Sequence, residues 1–100
     1  IFETPYIMPG VKHIFHQYSI RVKNRDKMME FLKSNGIPSM IYYPVPLHMQ
    51  EAYKYDYKPG DYPVSEEIAK DIISLPIHTE LTDVEIDFIS SKVIEFNSIQ

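Results

Sequence analysis

The stretch Thr82-Asp83-Val84-Glu85 constrains this chain more than any other. A threonine followed three residues later by a glutamate is a capping box, in which each side chain satisfies a backbone N–H of the other. Leu81 and Ile86 flank it at the staple positions. Ile86, Ile89, Val93 and Phe96 then recur down one face, so the spacing predicts a helix over 81–96. A helix with one apolar stripe must bury it against a second layer. With no cysteine in 100 residues, disulfides cannot replace that layer. An apolar fraction of 44% and a charged fraction of 24% supply a modest core, and the length fits one domain, 1–100.

The rest of the pattern mixes strand and helix. A short strand is expected at Tyr6–Met8, closed by the Pro9-Gly10 turn. "HIFHQYSIRV" (13–22) alternates, with Ile14, His16, Tyr18, Ile20 and Val22 on one face, and reads as the strongest strand. Asn24 can cap the next helix, Asp26 suits its positive end, and Met28, Met29, Phe31 and Leu32 form its apolar face. Gly36 can take the left-handed conformation that ends it. "IPSMIYY" (37–43) reads as a second strand, "HMQEAYKY" (48–55) as a short helix and "DYKPGDYP" (56–63) as a loop. A helix over 64–73, with Val64, Ile68 and Ile72 on one side, and a buried strand over 74–77 complete the order. The fold class is α+β: a small antiparallel-type sheet of three to four strands packed with helices.

Several function classes fall away. A formal charge of -4 and a pI near 5.5 argue against nucleic acid as a partner, and the densest basic run, "RVKNRDK" (21–27), reads as a solvated helix edge. No apolar run approaches the ~20 residues of a membrane helix, and no charged-apolar-small leader opens the chain. The lack of cysteine is compatible with a reducing compartment. The first residue, Ile1, suggests a piece of something longer or a processed product. Three glycines cannot build a phosphate loop. Ser, His and Asp occur, but no local pattern ties them into a triad. His13 and His16 would point to opposite faces of a strand, which speaks against a metal site. His78 reads as a loop histidine bonded to nearby backbone.

"MIYYPVPLHMQEAYKY" (40–55) stands apart. Pro44 and Pro46 fix φ and bias the residues before them toward extended geometry, so the loop loses little entropy when something binds it. Tyr42, Tyr43 and His48 add flat apolar surface with hydroxyl and imidazole groups. That set suits a polar ligand with ring-shaped parts, such as a sugar. It also suits a plain structural corner. Six of the eight tyrosines lie between 42 and 62, which fits a protein interface as well.

Three stretches in order resemble the DegT/DnrJ/EryC1/StrS family of pyridoxal-phosphate-dependent sugar aminotransferases. They are "HIFHQYSIRVKNRDKMMEFLKSNGI", "YYPVPLHMQEAY" and "PVSEEIAKDIISLPIHTELTDVEI", the last carrying a Pro-x-x-Glu and a Ser-Leu-Pro-x-His pattern. The resemblance implies the C-terminal small domain of a fold-type I aminotransferase. Such an enzyme works as a cytoplasmic homodimer and moves an amino group, usually from glutamate, onto a nucleotide-linked keto-sugar. It implies that the Schiff-base lysine and the phosphate-binding residues belong to an N-terminal domain absent from these residues. The chain alone would then be inactive and hold no cofactor. By motif position, Tyr42, Tyr43 and His48 are the substrate-binding residues. Tyr43 is a hydrogen-bond donor to substrate, and His48 is either a contact or a brace behind the loop. Tyr42 departs from the histidine frequent in the family and loses a group able to hold charge near neutral pH. His16 and Tyr18 match a family strand and shape the core under the site. The alternative is a stand-alone small-molecule-binding or protein-interaction module of ferredoxin-like α+β type.

Overall fold

A computed structural model describes residues 2–99. Its elements are β1 (Phe2–Glu3), β2 (Tyr18–Val22), α1 (Arg25–Ser34), α2 (Pro63–Asp71), β3 (Ile72–Leu75) and α3 (Asp83–Ser98). Two 3-10 turns, Leu47–Met49 and Glu51–Tyr53, lie in the long excursion between α1 and α2. The strands form one antiparallel sheet in the order β1-β2-β3, with Phe2 opposite Val22 and Ile20 opposite Ile73. The architecture is the expected α+β.

Side chains alternate across a strand, and here the two sheet faces differ. Ile20, Val22 and Ile73 point to one face and are sealed by Met28 and Leu32 of α1 and Val93 and Phe96 of α3. Phe31 meets Phe96 at a tilt, with ring centroids 5.5 Å apart. The opposite face carries Ser19 and Ser74, whose hydroxyls bond at 2.8 Å. It also carries Arg21, which reaches α2. The Arg21 guanidinium donates to both oxygens of Asp71 (3.0 and 2.7 Å) and to Glu67 (2.9 Å). These bonds, Asp71 first, push its pKa further up. Arg25 donates to the carbonyl of Ala69 at 2.7 Å. The basic run is therefore more than a solvated edge: both its arginines fasten α2 to the rest.

Local signals fixed the helices. The capping box of α3 forms as expected: the Glu85 N–H donates to Thr82 Oγ1 at 3.3 Å and the Thr82 N–H to Glu85 Oε2 at 2.8 Å. Gly36 takes φ 74 and ends α1. Pro63 sits in the first turn of α2, where a missing N–H costs nothing. Asn24 does stand at the N-cap of α1, but in the left-handed region (φ 59, ψ 40), and its side chain makes no capping bond. Its carbonyl accepts the Met28 N–H instead, at 3.1 Å.

The strands differ more from expectation. Tyr6–Met8 is not a strand and lies exposed. Proline on both sides removes backbone donors, and the place beside β2 goes to Phe2–Glu3. The strand expected over 13–22 begins only at Tyr18. Phe15 has φ 46, and its N–H folds back onto His13 Nδ1 at 2.9 Å while the two rings stack. Ile14 is exposed, and the opposite-face argument for His13 and His16 lapses because neither is in a strand. The strand expected over 37–43 shrinks to a single antiparallel bridge between Met40 and Ser74. The helix expected over 48–55 becomes the two 3-10 turns. The helix over 64–73 stops at Asp71, so the last strand is 72–75 rather than 74–77. Val64 is exposed, whereas Ile68 and Ile72 are half-buried.

Candidate functional site

The proline loop leaves the sheet at a defined point. Met40 and Ser74 exchange two backbone hydrogen bonds, 3.0 and 2.8 Å long, so the chain is pinned just before the tyrosines. Tyr42 and Tyr43 then stand out, 53% and 73% exposed. Pro44, Val45 and Pro46 carry the chain to a 3-10 turn in which the Met49 N–H donates to the Pro46 carbonyl at 2.9 Å. His48 turns inward and is only 7% exposed.

His48 is held by α2. Its Nε2 lies 2.8 Å from Glu66 Oε1. The Gly60 N–H donates to that same oxygen at 2.7 Å. An ionised carboxylate only accepts, so His48 carries its proton on Nε2. These two donors, His48 first, hold Glu66 below the usual carboxylate range. The His48 ring also meets Tyr62 edge-on at 4.9 Å, and Tyr62, Tyr57 and Tyr53 continue as an edge-to-face series at 5.9 and 6.4 Å. The geometry supports the bracing role for His48. Three of the clustered tyrosines thus pack on one another behind the loop.

On the other side, Tyr42 and Tyr43 border a groove over the polar face of the sheet, with Gln17, Ser19, Ser65 and Ser74 in its lining. Tyr42 also borders a neighbouring groove with His16 and His78. His16 is exposed and lines that groove, so it does not shape the core; Tyr18 packs partly buried against the core. His78 accepts the Glu80 N–H on Nδ1 at 3.2 Å, the local backbone bond expected of it. The structure brings Tyr42 and Tyr43 together as a wall and places His48 behind them. Sequence reasoning missed Glu66, although it closes the Pro63-x-x-Glu66 pattern. It also missed Gln17, Ser19 and Ser74, which the β2–β3 pairing and the Met40–Ser74 bridge together bring beside Tyr42.

A cofactor aldehyde held as an imine needs a lysine amine, and its phosphate needs cationic or clustered N–H donors. The grooves bordered by Tyr42 or Tyr43 contain neither lysine nor arginine. The residues lining these grooves do not fit pyridoxal phosphate. Among the described residues no group of three or more His, Asp or Glu is arranged to hold a metal, and no helix is long and apolar enough to cross a membrane.

Comparison with known proteins gives the family of the chain. A "Pleiotropic regulatory protein" of Geobacillus stearothermophilus is 43% identical over 94 residues, which is 93% of this chain and 25% of that protein. The UDP-N-acetyl-3-dehydro-alpha-D-glucosamine 3-aminotransferase of Acidithiobacillus ferrooxidans is 34% identical over 91 residues, 91% of this chain and 24% of that one. DesV of S. venezuelae, solved in complex with a ketimine intermediate, superposes with a TM-score of 0.89 at 29% identity, over 95% of this chain and 26% of its own. The chain spans about a quarter of the length of these relatives. Residues 2–94 match a single family throughout, and the chain belongs to the DegT/DnrJ/EryC1/StrS aminotransferase family.

Proposed function

We propose that this chain is the C-terminal small domain of a pyridoxal-phosphate-dependent aminotransferase, and that it forms one wall of the substrate pocket. The observation that carries the reading is the pairing of a family match over residues 2–94 with an exposed Tyr42–Tyr43 wall whose grooves hold no lysine. The reaction moves an amino group, with glutamate as donor, onto a nucleotide-linked keto-sugar. The cofactor, when bound, supplies the electron sink for that exchange. The residues that hold it belong to an N-terminal domain, and the enzyme works in the cytoplasm as a homodimer.

The tasks of this chain are binding and orientation. Tyr42 and Tyr43 offer ring faces and hydroxyls to the sugar, and Tyr43 donates a hydrogen bond to it. His48 holds the wall upright from behind and completes it on that side. The names of the relatives, which include an aminotransferase of a UDP-linked 3-dehydro sugar, support this substrate class.

The test uses the full-length protein, loaded with pyridoxal phosphate and mixed with glutamate. Loss of the bound-cofactor absorbance band, and its return on adding UDP-N-acetyl-3-dehydro-alpha-D-glucosamine, is expected. The 100-residue chain should show neither change. A full-length protein that never develops the band, or a short chain that transaminates alone, would overturn the reading.

A further inference from the structure

Glu66 closes the Pro63-x-x-Glu66 pattern and is not itself part of the wall. Its carboxylate is the second of two anchors for the segment that carries Tyr42 and Tyr43. The first anchor is the Met40–Ser74 bridge before them. The second lies after them, where one oxygen, Glu66 Oε1, takes both the His48 Nε2–H at 2.8 Å and the Gly60 N–H at 2.7 Å. Pro44 and Pro46 stiffen the arm between Tyr43 and His48, so fixing His48 fixes Tyr43. The Gly60 bond closes the far end of the same excursion, where φ is 94 and a glycine is required.

The placement suits positioning more than folding. The Glu66 side chain is 18% exposed and lies outside the apolar core of Ile20, Met28, Leu32 and Ile73. Among the described residues the other hydrogen bonds from Leu47 to Asp61 are local, within four residues, and include Met49 to Pro46, Tyr53 to Gln50, Asp56 to Tyr53, Tyr57 to Tyr53 and the Lys58–Asp61 pair. Local turns shape a loop but do not fix it to a scaffold. Besides Glu66, the His48 ring meets Tyr62, the residue just before α2, edge-on.

We infer that Glu66 is a positioning residue for the substrate wall, acting through His48 and Gly60 to hold Tyr42 and Tyr43 in place. The inference rests on the reading of those tyrosines as a substrate wall. Gln at this position keeps an Oε1 acceptor for both donors, whereas Ala removes it.

The experiment compares Glu66→Ala and Glu66→Gln in the full-length protein by hydrogen–deuterium exchange and by steady-state kinetics with glutamate and the UDP-linked sugar named above. In Glu66→Ala, exchange should quicken across 41–60 while peptides containing Leu32 and Ile73 keep wild-type rates. kcat/KM for the sugar should fall by about 10- to 100-fold, the scale of groups displaced by about 1 Å, with most of the change in KM. Glu66→Gln should stay within about threefold of wild type in KM and match it in exchange. Unchanged exchange over 41–60 in Glu66→Ala would overturn the inference. So would a fall in kcat at constant KM, or a Glu66→Gln variant as impaired as Ala. If Glu66→Ala does not fold, His48→Phe, which keeps a ring against Tyr62 but removes the Nε2–H donor, loosens the same clasp from its other end and must show the same exchange pattern. A wild-type protein without transaminase activity would remove the proposed function, while the exchange comparison would still decide whether Glu66 holds this segment.

Discussion

Two leucines fifteen positions apart test where this fold keeps its stability. Leu32, on α1, is 0% exposed and sits between Ile20, Ile73 and α3; Leu47, in the proline loop, is 67% exposed. Leu32→Ala removes three buried carbons at about 0.8 kcal/mol each, so ~2.4 kcal/mol of transfer free energy is lost. If about 50 Å³ of the space stays empty, the cavity adds roughly 1.2 kcal/mol at ~24 cal/mol per Å³. A loss of about 3.5 kcal/mol is a large share of the 5–15 kcal/mol that a domain of this kind holds. Leu47→Ala should change stability by no more than about 0.5 kcal/mol, as surface changes do. The assay is urea unfolding of the 100-residue chain, followed by far-UV circular dichroism. With a slope of about 1.3 kcal/mol per M, Leu32→Ala should lower the midpoint by roughly 2.5 M, or leave the chain unfolded in water, while Leu47→Ala barely moves it. Equal shifts for the two variants, or a Leu32 cost below about 1 kcal/mol, would refute the assignment of the core to the α1–α3 side of the sheet.

Thr82→Ala removes the hydroxyl half of the capping box and should cost about 1 kcal/mol, read as a fall of about 4–8 °C in melting temperature. Glu85 is held below its ordinary pKa of 4.5, first by the Thr82 backbone N–H and then by the Thr82 hydroxyl. Its stabilisation is complete above about pH 4.5 and is lost as pH falls through the lowered folded value. Glu85→Gln should therefore unfold at lower urea than wild type at neutral pH and converge with it in acid; a gap that persists in acid would contradict this. Tyr43→Phe in the full-length protein removes one hydroxyl at the wall and should raise KM for the sugar about 2- to 12-fold, the equivalent of about 0.5–1.5 kcal/mol, with kcat unchanged. No change in KM would take Tyr43 out of the contact.

The parts of the fold that were legible are those whose cause is local. The Thr82–Glu85 box, Gly36 after α1 and Pro63 at the start of α2 each act within one turn, so the sequence states them directly. Strand ends were not legible, because a strand ends where its partner ends. Met40 pairs with Ser74 at one point only, and no feature of "IPSMIYY" says so. Phe15 broke the expected strand through a positive φ stabilised by its own neighbour His13, a conflict that alternation cannot register. The site divides in the same way. Tyr42, Tyr43 and the two prolines announce a stiff aromatic loop. What His48 does was hidden, since its partner Glu66 is eighteen residues on and belongs to another element.

The two faces of the sheet explain how a chain of 100 residues can present a stiff aromatic loop at all. Ile20, Val22 and Ile73 are sealed on one side by α1 and α3, so the stability of the chain rests there. The other side needs no dry core. It holds the Ser19–Ser74 hydroxyl pair, the Arg21–Asp71 ion pair and the open grooves beside Tyr42. Polar groups that satisfy one another can remain at a water-accessible surface at little cost. Such a surface keeps its shape until something closes over it. On the proposed reading the rest of the polypeptide does so, bringing lysine and cofactor to a face whose own residues are fixed beforehand by Ser74 at one end of the wall and Glu66 at the other. Stiffness then comes from two anchors outside the core, so the wall can be loosened without unfolding the domain, and the core can be weakened without moving the wall.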